Sequence, residues 1–268
     1  MSTMTMVDCG GFKLATCVDG LTDASAPWLV LSNSLGASMM MWEPQLAVLG
    51  RKYRFLRYDT RGHGASDAPQ GPYDFGGLTH DVLALMDHYH IDKATFMGLS
   101  LGGMTGLGLA VHHADRFDKI VCCDARADNP PPFVQSWDDR KAAVDAGGLQ
   151  SIVNGTMERW FVESWRKAHP DRLQHFVDAF LATSLEGYKA CADALKTLDY
   201  LKDLGSVSLP VLYVVGAEDL GAPPQVMRAM AMATPGSAYI EVPQGAHLPN
   251  VDNSADFNTA IAGFLGLQ

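Results

Sequence analysis

Short apolar runs recur along this chain, and their lengths set the first expectation. Residues 12–18, Trp28–Ser32, Arg54–Tyr58, 94–98, 119–123, Val211–Gly216 and Ala238–Val242 are each of strand length. Several are almost continuously apolar instead of alternating, as befits strands buried on both faces of a parallel sheet. Helical periodicity fills the intervals. Within 78–89, Leu78, Val82, Leu85, Met86 and Tyr89 share one stripe, whereas Leu101–His112 is apolar almost all round, the pattern of a central buried helix. Pro224–Ala233 and 255–264 are shorter helical candidates. Strands alternating with helices predict an α/β protein: a mostly parallel central sheet with helices on both faces.

The alternation breaks once. After Cys123 the next strand begins near Val211, and the gap opens with Pro130-Pro131-Pro132 before helical stretches at 137–146, 149–165, 171–184 and 187–201. That is too long for one crossover. It predicts a helical cap, or lid, at 127–205, inserted into a core domain made of 1–126 and 206–268. Ligands of open parallel sheets bind beyond the carboxyl ends of the strands, so a cap there would roof the pocket.

Composition narrows the class. A chain of 268 residues, 47% hydrophobic and 19% charged, sits at the upper end of what one core supports. A formal net charge of −10 disfavours nucleic acid and anionic membranes as partners, while a few local arginines could still favour an anionic substrate. No apolar stretch is long enough to span a bilayer. The first six residues have neither a basic start nor an apolar signal core, which leads to the expectation of a cytoplasmic protein, monomeric or a small homo-oligomer. The cysteines Cys9, Cys17, Cys122, Cys123 and Cys191 lack metal-ligand spacing and read as small buried apolar side chains. Neither metal nor organic cofactor is expected.

The candidate chemistry centres on Gly98-Leu99-Ser100-Leu101-Gly102-Gly103, which follows a strand and opens a helix. A G-x-S-x-G turn in that context holds the serine in strained backbone geometry, exposes Oγ and sets the Leu101 amide beside it. A serine hydroxyl needs a base, and the base needs an orienting carboxylate. Of nine histidines, His247 is best placed, in a loop between the last strand and the last helix. Asp219 follows the strand Val211–Gly216, giving the order Ser, Asp, His; Glu218 and Asp124 are the alternative acids. A second oxyanion donor is expected from the loop after Trp28–Ser32, with the Leu35 amide as candidate beside Leu101. The Arg61-Gly62-His63-Gly64-Ala65-Ser66 loop reads as structural, with Asp59 and Arg61 pinning loops beneath the turn, and the remaining histidines mostly as surface residues.

These features resemble the α/β-hydrolase family over nearly the whole chain. Within it, "LSNSLGASMMMWEPQL", "RYDTRGHGASDAPQGPY", "GLSLGGM" and "AEDLGAPPQVM" look most like 3-oxoadipate enol-lactonases. The resemblance implies a Ser100–Asp219–His247 triad, an oxyanion hole from Leu35 and Leu101, and a cap that sets specificity. It further implies hydrolysis of an ester or lactone through an acyl-enzyme, most nearly 3-oxoadipate enol-lactone in aromatic catabolism. A general carboxylesterase or perhydrolase, or a ligand receptor without catalysis, is the alternative; serine at position 100 excludes a dehalogenase that attacks through aspartate. Arg126, Trp137, Trp160 and Phe133 are the expected substrate contacts, with Arg140 or Arg159 behind Arg126.

Overall fold

A computed structural model describes residues 3–267. Eight strands form one sheet: β1 (Thr5–Asp8), β2 (Lys13–Gly20), β3 (Trp28–Ser32), β4 (Arg54–Tyr58), β5 (Ala94–Leu99), β6 (Phe117–Cys123), β7 (Val211–Gly216) and β8 (Ala238–Val242). Their spatial order is β1-β2-β4-β3-β5-β6-β7-β8. The pairs β1–β2 and β2–β4 are antiparallel, and every other pair is parallel. All six residues of β5 and all six of β7 are buried, which is why those runs carry no polar alternation.

The helices are α1 (Glu43–Leu49), α2 (Phe75–His88), α3 (Leu101–His112), α4 (Pro131–Gly147), α5 (Val153–Trp160), α6 (Glu163–Ala168), α7 (Pro170–Leu181), α8 (Leu185–Lys196), α9 (Pro224–Ala233), α10 (Pro249–Asp252) and α11 (Ser254–Leu265). Helix α3 packs on β5 and β6 and buries ten of its twelve residues, matching its all-round apolar pattern.

Five helices, α4 to α8, lie between β6 and β7. Helix α4 starts inside the proline run, because proline at the first helical positions forfeits only an amide that has no intrahelical acceptor. The stretch 149–165 is not one helix. Helix α5 ends at Trp160, Phe161 turns extended, and α6 begins at Glu163. The break lets Phe161 bury completely, stacked on Trp165 with ring centroids 4.5 Å apart and set edge-on to Phe176. Where α8 crosses the 61–66 loop, Gly62 and Gly187 meet backbone to backbone, a contact that any Cβ on either would prevent.

All five cysteines are buried and unpaired. No helix among the described residues is long and apolar enough to cross a membrane.

Candidate active site

Ser100 sits between β5 and α3 with φ 56° and ψ −115°, a conformation that costs an L-residue energy and persists only where its surroundings enforce it. Here the enforcement is close packing of backbone on backbone. A Cβ on Gly98 would strike the Gly102 carbonyl, and one on Gly102 would strike the Ser32 carbonyl of β3. The glycines thus make room for neighbouring main chain, not for the serine side chain as the motif alone suggests. The Ser100 amide donates to Cys123 O at 2.8 Å and the Gly102 amide to Asn33 O at 3.0 Å, tying the turn to the ends of β6 and β3.

The Leu101 amide lies in the first turn of α3, where helix amides lack intrahelical acceptors and carry the positive end of the dipole. Leu35 lies on the cavity wall, in a loop held by buried Asn33. Asn33 donates to Tyr58 O at 2.7 Å and accepts from Trp42 Nε1 at 3.1 Å.

His247 and Asp219 come together directly. Nδ1 of the imidazole lies 2.9 Å from Asp219 Oδ2, with both side chains buried. Asp219 also accepts from the Gly221 amide at 2.7 Å and the Ala222 amide at 3.2 Å. Burial by itself would raise this carboxyl, but His247 and the two amides outweigh it and hold it below its ordinary value. Glu218 is exposed, and Asp124 does not touch the ring through a hydrogen bond. Among the described residues no hydrogen bond joins Ser100 Oγ to His247; the two side chains share the wall of one cavity. Unliganded sites are commonly loose at this contact and tighten around substrate.

That cavity has a volume of about 600 Å³. Loops that follow β3, β5, β6, β7 and β8 line it together with α4, α5 and α8, and Phe133, Trp137, Trp160, Arg126, Arg140 and Arg159 all belong to its wall. Their circumstances differ. Trp160 is 3% exposed and packs edge-on against Phe161, Phe176 and Phe180, so it is core of the helical layer as well as wall. Phe133 and Trp137 meet edge to face, each beneath a guanidinium: Arg126 over Phe133 and Arg140 over Trp137. Arg126 is paired with Asp128 at 2.8 Å. Arg140 binds only neutral oxygens, Tyr188 Oη at 3.1 Å and Thr156 Oγ1 at 2.7 Å. Arg159 has no side-chain hydrogen bond or ion pair among the described residues, and burial together with the nearby Arg140 charge lowers its guanidinium from the usual value.

The 61–66 loop plays a different part. Asp59 accepts from the Met39 and Ala65 amides, while Arg61 is bound to Asp81 on α2 instead of reaching the serine turn. His63 is not a surface residue: it is fully buried, and burial pushes it down to about 4.

Asp252 has no sequence motif of its own, yet it braces the site. Its Oδ2 accepts from Ala246 next to His247 at 3.0 Å and from Val162 at the α5–α6 break at 3.1 Å. The His247 and Leu248 amides donate to Arg159 O and Trp160 O, at 3.4 and 3.0 Å.

Asp124, Asp219 and His247 are the one group of three potential metal donors among the described residues, with donor atoms all within 4.8 Å. Those atoms are largely spent on protein hydrogens: His247 on Asp219, Asp219 on two amides, and Asp124 Oδ1 on the Gly216 amide at 2.8 Å. The cluster therefore reads as a hydrogen-bonded one.

Comparison with known proteins shows the family. A family model described as alpha/beta hydrolase fold matches residues 27–169. The 3-oxoadipate enol-lactonase 2 of Acinetobacter baylyi is 36% identical over 238 residues, covering 89% of this chain and 88% of that protein. The crystal structure of the enol-lactonase from Burkholderia xenovorans superposes with a TM-score of 0.93 at 37% identity, over 98% of this chain and all of the other. A thermophilic esterase from Thermogutta terrifontis, solved with malate bound, superposes at 0.89 with 26% identity, over 99% and 98% of the two chains.

Proposed function

Since this chain belongs to the α/β-hydrolase family, we propose that it hydrolyses a carboxylated ester or lactone through an acyl-enzyme on Ser100, with 3-oxoadipate enol-lactone as the foremost candidate. The observation that carries this reading is the Asp219–His247 contact opening onto the same cavity wall as a serine of strained backbone.

His247 takes the hydroxyl proton as Ser100 Oγ attacks the carbonyl carbon, and Asp219 stabilises the imidazolium that forms. The Leu35 and Leu101 amides receive the oxyanion, and each such donor contributes about 3 kcal/mol to the transition state. Collapse expels the enolate or alkoxide oxygen, which takes the proton from His247. Water then attacks the acyl-enzyme with His247 again as base, and the proton returns to Ser100. From a lactone the leaving oxygen stays tethered, so one open-chain acid is released.

Arginine supplies the preference for a negatively charged substrate. Arg140 and Arg159 bring two cations to the cavity without an acidic partner of their own, in a chain whose overall charge is −10. A substrate carboxylate would neutralise them by the forked hydrogen bonding that guanidinium favours. Arg126, the first candidate from sequence, shares the wall but already holds Asp128. The relatives named as enol-lactonases, and the esterase solved with malate, support a carboxylated ligand.

The test is turnover of 3-oxoadipate enol-lactone beside p-nitrophenyl acetate, by wild type and Ser100→Ala. The reading expects lactone to be preferred by orders of magnitude and both activities to collapse in the variant. Retention of either rate in Ser100→Ala would exclude the acyl-enzyme, and preference for the neutral ester would exclude the lactone.

A further inference from the structure

We infer that Asp124 is a positioning residue: it holds the one proton shared by two buried carboxyl groups and donates it in a hydrogen bond to Asp219, so that the negative charge stays on the carboxylate facing His247. Its effect on rate rests on the reading of Ser100, His247 and Asp219 given above; its protonation does not.

The inference starts from topology. Strands β6 and β7 are parallel neighbours, and the chain leaves both at the same end, with the Asp124 amide donating to Val214 O at 2.9 Å. Asp124 takes φ 46°, a left-handed turn that aspartate tolerates better than most residues. It is wholly buried, Asp219 is 2% exposed, and their oxygens lie within 4.8 Å of each other. Two carboxyl groups so close and so dry do not both ionise.

The surrounding donors decide which one keeps the proton. Asp219 accepts three hydrogen bonds, from His247, Gly221 and Ala222. Asp124 accepts one, from the Gly216 amide on Oδ1, while its Oδ2 is buried with no partner. An orphaned buried oxygen is costly as part of an anion, whereas as a hydroxyl it has Asp219 within reach. Burial first, and the Asp219 charge second, push Asp124 well above the ordinary carboxyl range, in keeping with the geometry. The other titratable groups around the pair do not alter the outcome. Asp252 from α10 and the thiols of Cys122 and Cys123 below add no positive charge, and Arg159 from α5 acts on Asp219.

For the reaction, a neutral acid bonded to Asp219 spreads that carboxylate's charge. Asp219 then grips an imidazolium less strongly than an unassisted carboxylate would. Asp124→Asn keeps an NH2 donor in the same place, whereas Asp124→Ala removes the donor.

Two measurements test this. Infrared difference spectra at neutral pH, wild type against Asp124→Asn, should contain a protonated-carboxyl stretch that belongs to wild type. Its absence would overturn the proposal, whatever the enzyme's activity. The acid limb of kcat/KM against pH should move upward by roughly half to one pH unit in Asp124→Ala and stay near wild type in Asp124→Asn. An unmoved limb in a folded Asp124→Ala, or equal displacement in both variants, would leave Asp124 as no more than a cap on Gly216. If Asp124→Ala does not fold, the infrared result on the isosteric variant decides alone. Loss of the acyl-enzyme reading would show separately, as activity persisting in Ser100→Ala.

Discussion

His247 Nδ1 lies 2.9 Å from Asp219 Oδ2, and the amides of Gly221 and Ala222 donate to the same carboxylate. That contact favours the tautomer with its proton on Nδ1, which in the proposed mechanism leaves Nε2 as the base.

Asp219→Asn should disturb that tautomer while preserving shape. Its kcat should fall by about 10³-fold or more with little change in KM. Steady-state kinetics on a chromogenic ester give the answer, and a fall of less than tenfold would mean another group orients the ring.

Gly102→Ala places a methyl group against the Ser32 carbonyl of β3. Backbone cannot yield as a side-chain tip does, so the variant should lose about 2–3 kcal/mol in urea unfolding, together with most activity as the turn shifts. Wild-type stability would show that the turn relaxes freely.

Arg159→Met retains much of the apolar stem and removes a cation that has no anionic partner of its own. KM for a carboxylated lactone should rise by about tenfold or more, while KM for p-nitrophenyl acetate stays within about twofold. Arg126→Leu, which unpairs Asp128, should discriminate less between the two substrates. Equal losses on both substrates in Arg159→Met would remove it as the carboxylate contact.

Asp252 is raised by burial to about 6, against 3.8 for a free side chain. A carboxyl raised in the folded state costs nothing while both states are protonated. It penalises folding increasingly as pH climbs from about 4 through about 6, by about 3 kcal/mol at full ionisation. Asp252→Asn should therefore be the more stable protein at pH 8, with most of the advantage gone at pH 4. Buried His63, lowered to about 4, acts in the opposite sense, since its contribution is lost as pH falls from about 6.5. It is common to both proteins, so the difference between their melting curves isolates Asp252. A gap that does not change with pH would refute the assignment.

The buried parallel strands were plain in the sequence because their near-continuous apolar runs leave few other homes for them. Strand β1 was not: in Thr5–Asp8 only Val7 is buried, too little pattern for an edge strand. Helix α1 was equally silent, with Gln45 buried by bonds to Asn250 and Asn258 more than two hundred residues away. The break at Phe161 depends on an aromatic cluster drawn from α6 and α7, which no local periodicity encodes. Ser100, Asp219 and His247 could be singled out as candidates from sequence because each follows a recognisable strand. The meeting of Asp124 with Asp219 depends on β6 lying beside β7, and sequence names the strands without naming their neighbours.

The main-chain bonds from His247 and Leu248 to Arg159 and Trp160 carry a consequence for traffic. The end of α5, stapled in this way to the loop that bears His247, cannot swing clear like a hinged hatch without shifting that loop. Leu220, which lines the same cavity, stands 81% exposed, so the rim there meets solvent without any such shift.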